Sequence, residues 1–194
     1  MLGLLVLAGL LYGASSEALD RLSEYHLLRD IGLPSRGPAA LWFAGLSLAG
    51  LLLGLAVTEP LRRRIEVGKE APVAGLLGVL TVLSLLGILA FALAPGFWWA
   101  AVALTGLNVV RGLYAPLYST WLNTGLESGS RATVNSLASQ ADALGQVSFG
   151  PLFGLAGNVW GVPAALALGA LVRLPTLLVF RLGGKTSRQP GLDA

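Results

Sequence analysis

The sequence predicts an all-α membrane protein built as a bundle of six transmembrane helices. Of the 194 residues, 55% are hydrophobic and only 12% are charged, whereas soluble domains carry about 25% charged residues. Apolar segments close to the ~20 residues that cross a bilayer recur along the chain, and stretches rich in Gly, Pro and charge separate them. The predicted helices of this single domain, residues 1–194, are 2–24, 39–58, 72–94, 97–122, 132–156 and 160–181.

Composition excludes several classes of function. The chain has no cysteine and a single histidine, His26, so disulfides and the usual zinc, haem and iron–sulfur ligand sets are absent from the sequence. We therefore predict no metal site and no cofactor. The net charge is +3, but the basic residues lie beside apolar segments, which favours the lipid bilayer over nucleic acid as their partner.

The first segment is apolar from Leu2 to Ala14 and continues into a charged stretch, SSEALDRLSEYHLL. An uncharged run of about 15 residues is too short to span a bilayer, so the helix has to include the charged residues that follow. Glu17 and Arg21 stand four residues apart and can form an ion pair. Their end of the helix is either solvated or forms the mouth of a cavity.

The second segment carries no charge, and its Gly50 and Gly54 form a GxxxG pair that permits close helix approach. The third segment has only Thr81 and Ser84 as polar interruptions, so we expect it to be the helix most exposed to lipid. Aromatic residues at 97–99 follow it and predict a membrane interface.

Polar residues interrupt the fourth and fifth segments at helical spacing, so each helix carries one polar stripe. Polar side chains in hydrocarbon are costly, which favours a stripe that faces a cavity, although such residues also serve as helix-packing contacts. Pro116 should kink the fourth helix. The predicted lining of a substrate or ion pathway is Glu17, Asp20, Arg21, Asn108, Arg111, Tyr118, Asn135, Ser139, Asp142 and Gln146.

Depth along the helices predicts an ion pair. Arg111 lies about 16 Å and Asp142 about 15 Å from the same membrane face, at 1.5 Å per residue. Because the two helices are joined by a short turn, we expect them to be antiparallel neighbours, with Arg111 bonded to Asp142. The alternatives are that Arg111 pairs with Glu17 or Asp20 and that Asp142 carries a coupling proton.

The last segment contains Arg173 about two turns from its basic end, and we expect this side chain to snorkel to that interface. The fifth segment has a further GxxxG pair, Gly150 and Gly154.

Six spans place both termini on one side of the membrane. The Lys and Arg residues on that side are 62, 63, 64, 69, 131, 181, 185 and 188, against 21, 29 and 36 opposite. The positive-inside rule therefore predicts cytoplasmic termini.

Three stretches resemble one family. SSEALDRL, TEPLRRR and YSTWLNTGLESGSRATVNSLASQADALGQ are similar to the seventh, eighth, tenth and eleventh helices of major facilitator superfamily transporters related to bacterial drug exporters. The resemblance covers essentially the whole chain and implies one half of the twelve-helix fold. It implies that the first, second, fourth and fifth helices line a central cavity. The loop after the second helix departs from the family's pattern, although Glu59 and Arg62–Arg64 supply a similar charge cluster.

The resemblance implies secondary transport of small organic molecules by alternating access, with protons as the expected coupling ion. Glu17, Asp20 and Asp142 are the available proton carriers, and Asp142 is nearest the midplane. The protein is expected in the cell (inner) membrane, with an N-terminal half or a second copy as partner. Because the chain begins with its first apolar segment, a truncated or split reading frame is the simplest account.

Two other functions are compatible with the sequence. The chain could be a non-transporting remnant or an assembly subunit, since GxxxG pairs and long apolar helices suit packing alone. An intramembrane hydrolase using Ser148 and His26 is disfavoured, because no Gly-x-Ser-x-Gly elbow is present. We therefore predict no catalytic residue.

Four aromatic residues lie near the polar stripes: Tyr12, Tyr114, Tyr118 and Trp121. They suit an amphipathic or cationic substrate, or they serve as interfacial anchors.

Overall fold

The computed structural model describes residues 2–34, 37–67, 73–123, 126 and 128–186, with no side chains described for 61–67 and 183–186. Arg36, Lys69 and Arg188 lie outside the described residues, as do the side chains of Arg62–Arg64 and Lys185. These residues carry most of the charge that predicts orientation. The orientation of the chain in the membrane therefore stays a prediction.

The described residues are mostly helical, with short turns between the helices, and those ranges contain no strand. The helices are α1 (Leu2–Tyr25), continued by a π-helical turn (His26–Ile31), α2 (Ala39–Val67), α3 (Val73–Ala92), α4 (Phe97–Asn123), α5 (Ser128–Trp160), α6 (Val162–Val172) and α7 (Thr176–Thr186). Five stretches within the described ranges are long and apolar enough to cross a membrane: Leu2–Ile31, Ala39–Pro60, Val73–Ala92, Phe97–Asn123 and Val162–Leu182. The chain is therefore a multi-pass helical membrane protein.

The helix α5 is the longest, at 33 residues, but its polar stripe leaves it less apolar than the five spans. It packs along α1 as its main neighbour, rather than along α4. Because α1 is itself a membrane span, α5 lies at the same depth. The expectation that α4 and α5 pack as close antiparallel neighbours with facing stripes is therefore wrong.

Glycines explain why α5 packs against α1. A Cβ atom on Gly13 would overlap the backbone carbonyl of Asp142, and one on Gly145 would overlap the backbone carbonyl of Leu10. Small residues let helix backbones approach closely in membranes, where apolar burial does not drive helices together. The signal for this contact in the sequence is a further GxxxG pair, formed by Gly9 and Gly13.

In each of the other two GxxxG pairs, Gly50/Gly54 and Gly150/Gly154, only the first glycine lies against another helix. A Cβ on Gly50 would lie 3.1 Å from the side chain of Asn108, and one on Gly150 would lie 3.0 Å from Glu17. The second glycine of each pair has open space around it. Each pair therefore contributes one close contact and not a continuous helix interface.

The helix most exposed on the surface is α2, not α3 as the sequence suggested. The helix α3 packs against α4, α6 and α7, whereas α2 packs mainly on α4. Thr81 and Ser84 of α3 are buried, and their hydroxyls donate to backbone carbonyls four residues earlier, each at 2.8 Å. They therefore satisfy their hydrogen bonds within their own helix. The exposed apolar residues of α2 are Leu41, Leu48, Leu51, Leu52, Leu53, Leu55 and Val57.

The predicted last helix is interrupted. A turn at Arg173–Pro175 separates α6 from α7, because proline cannot donate the backbone hydrogen bond that would continue the helix. By contrast, α4 continues as one helix through Pro116. The interruption at Arg173 falls within the stretch Val162–Leu182 that is apolar enough to span.

Buried apolar residues form two clusters at opposite ends of the bundle. One cluster includes Leu27, Phe91 and Leu107, and the other includes Leu5, Leu117 and Phe180. Along α4 the first cluster ends at Leu107 and the second begins at Leu113. Arg111 lies between them, in a polar layer that separates the two apolar ends.

Candidate functional site

An ion pair between α1 and α4 lies at the centre of this polar layer. The guanidinium of Arg111 donates from Nη1 to Asp20 Oδ1 at 2.6 Å and from Nη2 to Asp20 Oδ2 at 2.8 Å. Arg111 lies 14 residues after Phe97 and 12 before Asn123, about 21 and 18 Å from the two ends of α4. The bidentate geometry is the strong form of a guanidinium–carboxylate interaction.

The predicted pair of Arg111 with Asp142 is therefore wrong, and Asp20, one of the alternatives, is the partner. The physical reason is the close packing of α5 on α1, which holds the backbone of Asp142 against Gly13. Its Oδ2 accepts a hydrogen bond from Gln146 Nε2 at 2.8 Å. Its Oδ1 is buried and has no hydrogen-bond partner among the described residues.

A cavity of about 380 Å³ lies between α1, α4 and α5. Its wall contains four residues of the predicted pathway, Tyr118, Asn135, Ser139 and Asp142. Asn135 also exchanges side-chain hydrogen bonds with Asn123 at 3.3 and 3.4 Å, which ties α5 to the end of α4. The other lining residues are Gly9, Tyr12, Tyr114, Ala115, Ser119, Leu122 and Ala138.

A smaller cavity of about 140 Å³ lies between α1, α2 and α4 and contains Asp20, Asn108 and Arg111 in its wall. The remaining predicted pathway residues line neither cavity. Glu17 is buried and forms an ion pair with the exposed Arg21, as their four-residue spacing predicts. The structure thus spreads the predicted residues along the bundle, from Asn135 beside the end of α4 to the Asp20–Arg111 pair, in two cavities and a helix interface.

Three tyrosines form a stack along the larger cavity. The rings of Tyr12 and Tyr114 are 4.6 Å apart with an angle of 11° between their planes, and those of Tyr114 and Tyr118 are 5.6 Å apart at 19°. The hydroxyl of Tyr118 donates to the carbonyl of Leu5 at 3.2 Å. The ring faces are therefore largely occupied by one another, and the stack joins α1 to α4.

Arg173 is buried behind this stack and does not snorkel as predicted. Its side chain is only 3% exposed, and its ζ carbon lies 4.6 Å from the ring centroid of Tyr12 and 4.7 Å from that of Tyr114. Cation–π attraction to two rings stabilises the charge where it is. No local pattern reveals this site, because the rings come from α1 and α4.

Aromatic residues near the membrane faces behave in two ways. Trp121, considered a candidate interfacial anchor, is buried and packs edge-on against Phe180 at 5.1 Å. Trp98 and Trp99 are exposed, and Trp99 Nε1 donates to the carbonyl of Ala90 at 3.1 Å. The exposed pair matches the aromatic belt that the sequence predicts at the start of α4.

The structure does not bring Ser148 to His26. The ring of His26 is buried against Phe91, and its Nδ1 bonds to Asp30 Oδ2 at 2.7 Å. Its Nε2 has no hydrogen-bond partner within the described ranges, and Ser148 is exposed on α5. Nucleophilic catalysis needs the serine and its base within hydrogen-bond reach, which this arrangement does not supply.

No family model matches the chain, and no curated protein is significantly similar to it in sequence.

Proposed function

We propose that this chain is one six-helix half of a secondary active transporter for small organic molecules. The observation that carries the proposal is the exposure of the Asp20–Arg111 pair at mid-depth. In the isolated chain 49% of the Asp20 side chain and 28% of the Arg111 side chain are exposed. Charged groups at the centre of a bilayer are costly and face a bundle interior or a water-filled cavity. This face of the chain is therefore directed at water or at protein.

Further polar residues are exposed on α5. Ser136, Ser139 and Gln140 are exposed there, and Ser139 belongs to the wall of the larger cavity. Transporters built from repeats hold their substrate between two such bundles, near the midplane. A second bundle laid against α1, α4 and α5 would enclose the ion pair and the larger cavity together.

The resemblance of three stretches to major facilitator superfamily transporters supports the same proposal. In it, the chain corresponds to the C-terminal half of the twelve-helix fold, in a cell (inner) membrane with both termini cytoplasmic. The partner is an N-terminal half or a second copy of this chain. Asp142, with one unpartnered oxygen in the wall of the larger cavity, is the proposed proton carrier.

Cysteine accessibility tests whether the polar face meets water. The native chain has no cysteine, so single replacements can be compared directly in native membranes. Ser139→Cys in the cavity wall should react with a water-soluble maleimide, whereas Leu83→Cys, exposed at the middle of α3, should not. If neither cysteine reacted with the maleimide, the polar face would be in contact with lipid or dry protein. The proposal of a water-accessible pathway would then be wrong.

Transport itself is tested by reconstitution. The purified chain alone in liposomes should show no saturable dye uptake under a proton gradient, because a site between two repeats is incomplete with one. Saturable uptake by a monomeric chain would contradict the proposal that it is one half. Uptake by a homodimer would identify the second copy as the partner.

A further inference from the structure

The two cavities lie one after the other in the groove between α1 and α4. The larger cavity is lined by residues within 9–12 of α1 and 114–122 of α4, and α5 completes its wall. The smaller cavity is lined by residues within 19–27 of α1 and its π-helical turn and within 104–111 of α4, and α2 completes its wall. No residue lines both cavities. The cavities therefore occupy successive lengths of one groove.

Together the two cavities extend over most of the thickness of a bilayer. Their ends on α4 are Leu104 and Leu122, which lie 18 residues apart, or about 27 Å, against a hydrocarbon core of about 30 Å. Leu122 is one residue from the end of α4. The smaller cavity includes Phe43, four residues after the start of α2. Because α2, α3 and α4 are successive candidate spans, the start of α2 and the end of α4 belong to opposite membrane faces, and each cavity approaches one of them.

Both cavities are polar, and neither is enclosed by the protein. The wall of the larger cavity includes Ser119, Ser139 and Asp142. The wall of the smaller cavity includes Ser23 and Glu24 in addition to the ion pair. Cavities that stay dry are apolar, whereas polar cavities of this size hold water. Both cavities therefore suit water and small hydrophilic ions.

Less than one helical turn separates the two cavities on α4. Arg111 lines the smaller cavity and Tyr114 lines the larger, three residues or about 4.5 Å further along. The guanidinium of Arg111 crosses the groove at this break and bonds to both carboxylate oxygens of Asp20 on α1. It also interacts with the hydroxyl of Tyr12, which belongs to the wall of the larger cavity. One side chain thus reaches from the wall of one cavity to the wall of the other.

The tyrosine stack forms a side wall of the larger cavity and leads away from the groove. It runs from Tyr12 to the buried Tyr114, whose ring lies against Arg173 and, on α7, Phe180. Close helix packing does not fill the groove either, because α1 packs mainly on α5 and α6, whereas α4 packs mainly on α3 and α2. The Asp20–Arg111 pair is therefore the group that stands between the two cavities.

We propose that the groove between α1 and α4 is a pathway for water and small hydrophilic ions through this one chain, closed between its two cavities by the Asp20–Arg111 pair. Separation of these two side chains would join the cavities, and it would require no change in the main helix contacts. The proposed substrate site lies between two bundles, whereas this pathway lies within one. The inference therefore goes beyond the proposed function.

Sided labelling of single cysteines tests the pathway in native membranes. Ser23→Cys places a thiol in the wall of the smaller cavity, and Ser139→Cys places one in the wall of the larger. The probe is the cationic thiol reagent trimethylammonioethyl methanethiosulfonate, which does not cross bilayers, applied to right-side-out and to inside-out vesicles. Each cysteine should react from one face only, and the two should react from opposite faces. Reaction of both from the same face, of either from both faces, or of neither would overturn the inference.

Removing the ion pair should abolish this sidedness. The double replacement Asp20→Ala/Arg111→Ala leaves no unpaired charge and is therefore milder than either single one. In this background each cysteine should react from both faces. The matched control is Glu17→Ala/Arg21→Ala, which removes another acid–arginine pair of α1 that lines neither cavity, and it should preserve sidedness. Unchanged sidedness without the Asp20–Arg111 pair, or equal loss in both variants, would contradict the inference. If the pair variant does not fold, labelling of the native chain still decides.

The labelling needs no gradient and measures no flux, so its result is separate from that of transport. Labelling from opposite faces in a protein that carries no substrate would count against the proposed transport and leave the pathway standing. Saturable flux in a protein whose two cysteines react from the same face would remove the pathway and leave transport standing.

Discussion

Asp20 and Arg111 neutralise each other in a bidentate ion pair. Removing one partner leaves an unpaired charge at mid-depth, which is strongly destabilising for a buried pair, whereas removing both is milder. Because the pair is partly exposed, we expect Asp20→Ala or Arg111→Ala to lower the free energy of unfolding by about 1–3 kcal/mol. Unfolding in detergent, measured for both single variants and the double variant, gives the coupling energy.

The matched control is the cycle of Arg111→Ala with Asp142→Ala. Since the structure bonds Arg111 to Asp20 and Asp142 to Gln146, the losses in this second cycle should be close to additive. Strong coupling to Asp142, with none to Asp20, would restore the pairing that depth along the sequence predicts.

The depth of a residue along a helix can be predicted from the sequence. Which neighbouring helix its side chain faces cannot, because the sequence does not show how the helices pack. Arg111 and Asp142 do lie near the middle of their helices, as predicted. Their partners depend on which helix lies beside each one. Arg173 shows the same limit, since its position follows from two rings that are distant in the sequence.

At the scale of helices, hydropathy predicts five stretches that are apolar enough to span, but the predicted fifth segment, 132–156, is not one of them. The predicted segment 72–94 is observed as Val73–Ala92, and 97–122 as Phe97–Asn123. Apolar runs fix these helices because backbone groups in hydrocarbon have to be satisfied within the helix. Which helices lie next to each other is set by contacts that hydropathy does not measure, such as the contact of Gly13 with the backbone of Asp142.

The glycine contact between α1 and α5 gives a prediction at this scale. In Gly13→Ala the new methyl group would overlap the backbone of Asp142, so the two helices would have to separate. We expect a loss of about 1–3 kcal/mol in the free energy of unfolding in detergent, typical of overpacking. Gly112→Ala on α4 is the control, because a Cβ there meets open space and alanine favours the helix by up to about 1 kcal/mol. Equal stability of the two variants would mean that α1 and α5 are not in close contact.

For the whole molecule, the main feature is the difference between its two surfaces. The exposed face of α2 is apolar over most of its length, which suits lipid. Helices α1, α4 and α5 expose an ion pair and polar side chains. The sequence predicts these polar residues from their spacing, but only the packing of the helices shows which of them stay exposed.

Orientation in the membrane gives the last prediction, which rests on the excess of Lys and Arg on the side of the termini. Cysteine at Pro38, exposed just before α2, should react with an impermeant maleimide in intact cells. Cysteine at Ser130, exposed in the first turn of α5, should react only after permeabilisation. The chain has no native cysteine, so background labelling is absent. Three candidate spans, α2, α3 and α4, separate the two positions and should place them on opposite sides. The reverse labelling pattern would invert the predicted orientation. Labelling of both positions from outside would instead mean that an even number of spans separates Pro38 from Ser130, so that α2, α3 or α4 does not cross the membrane.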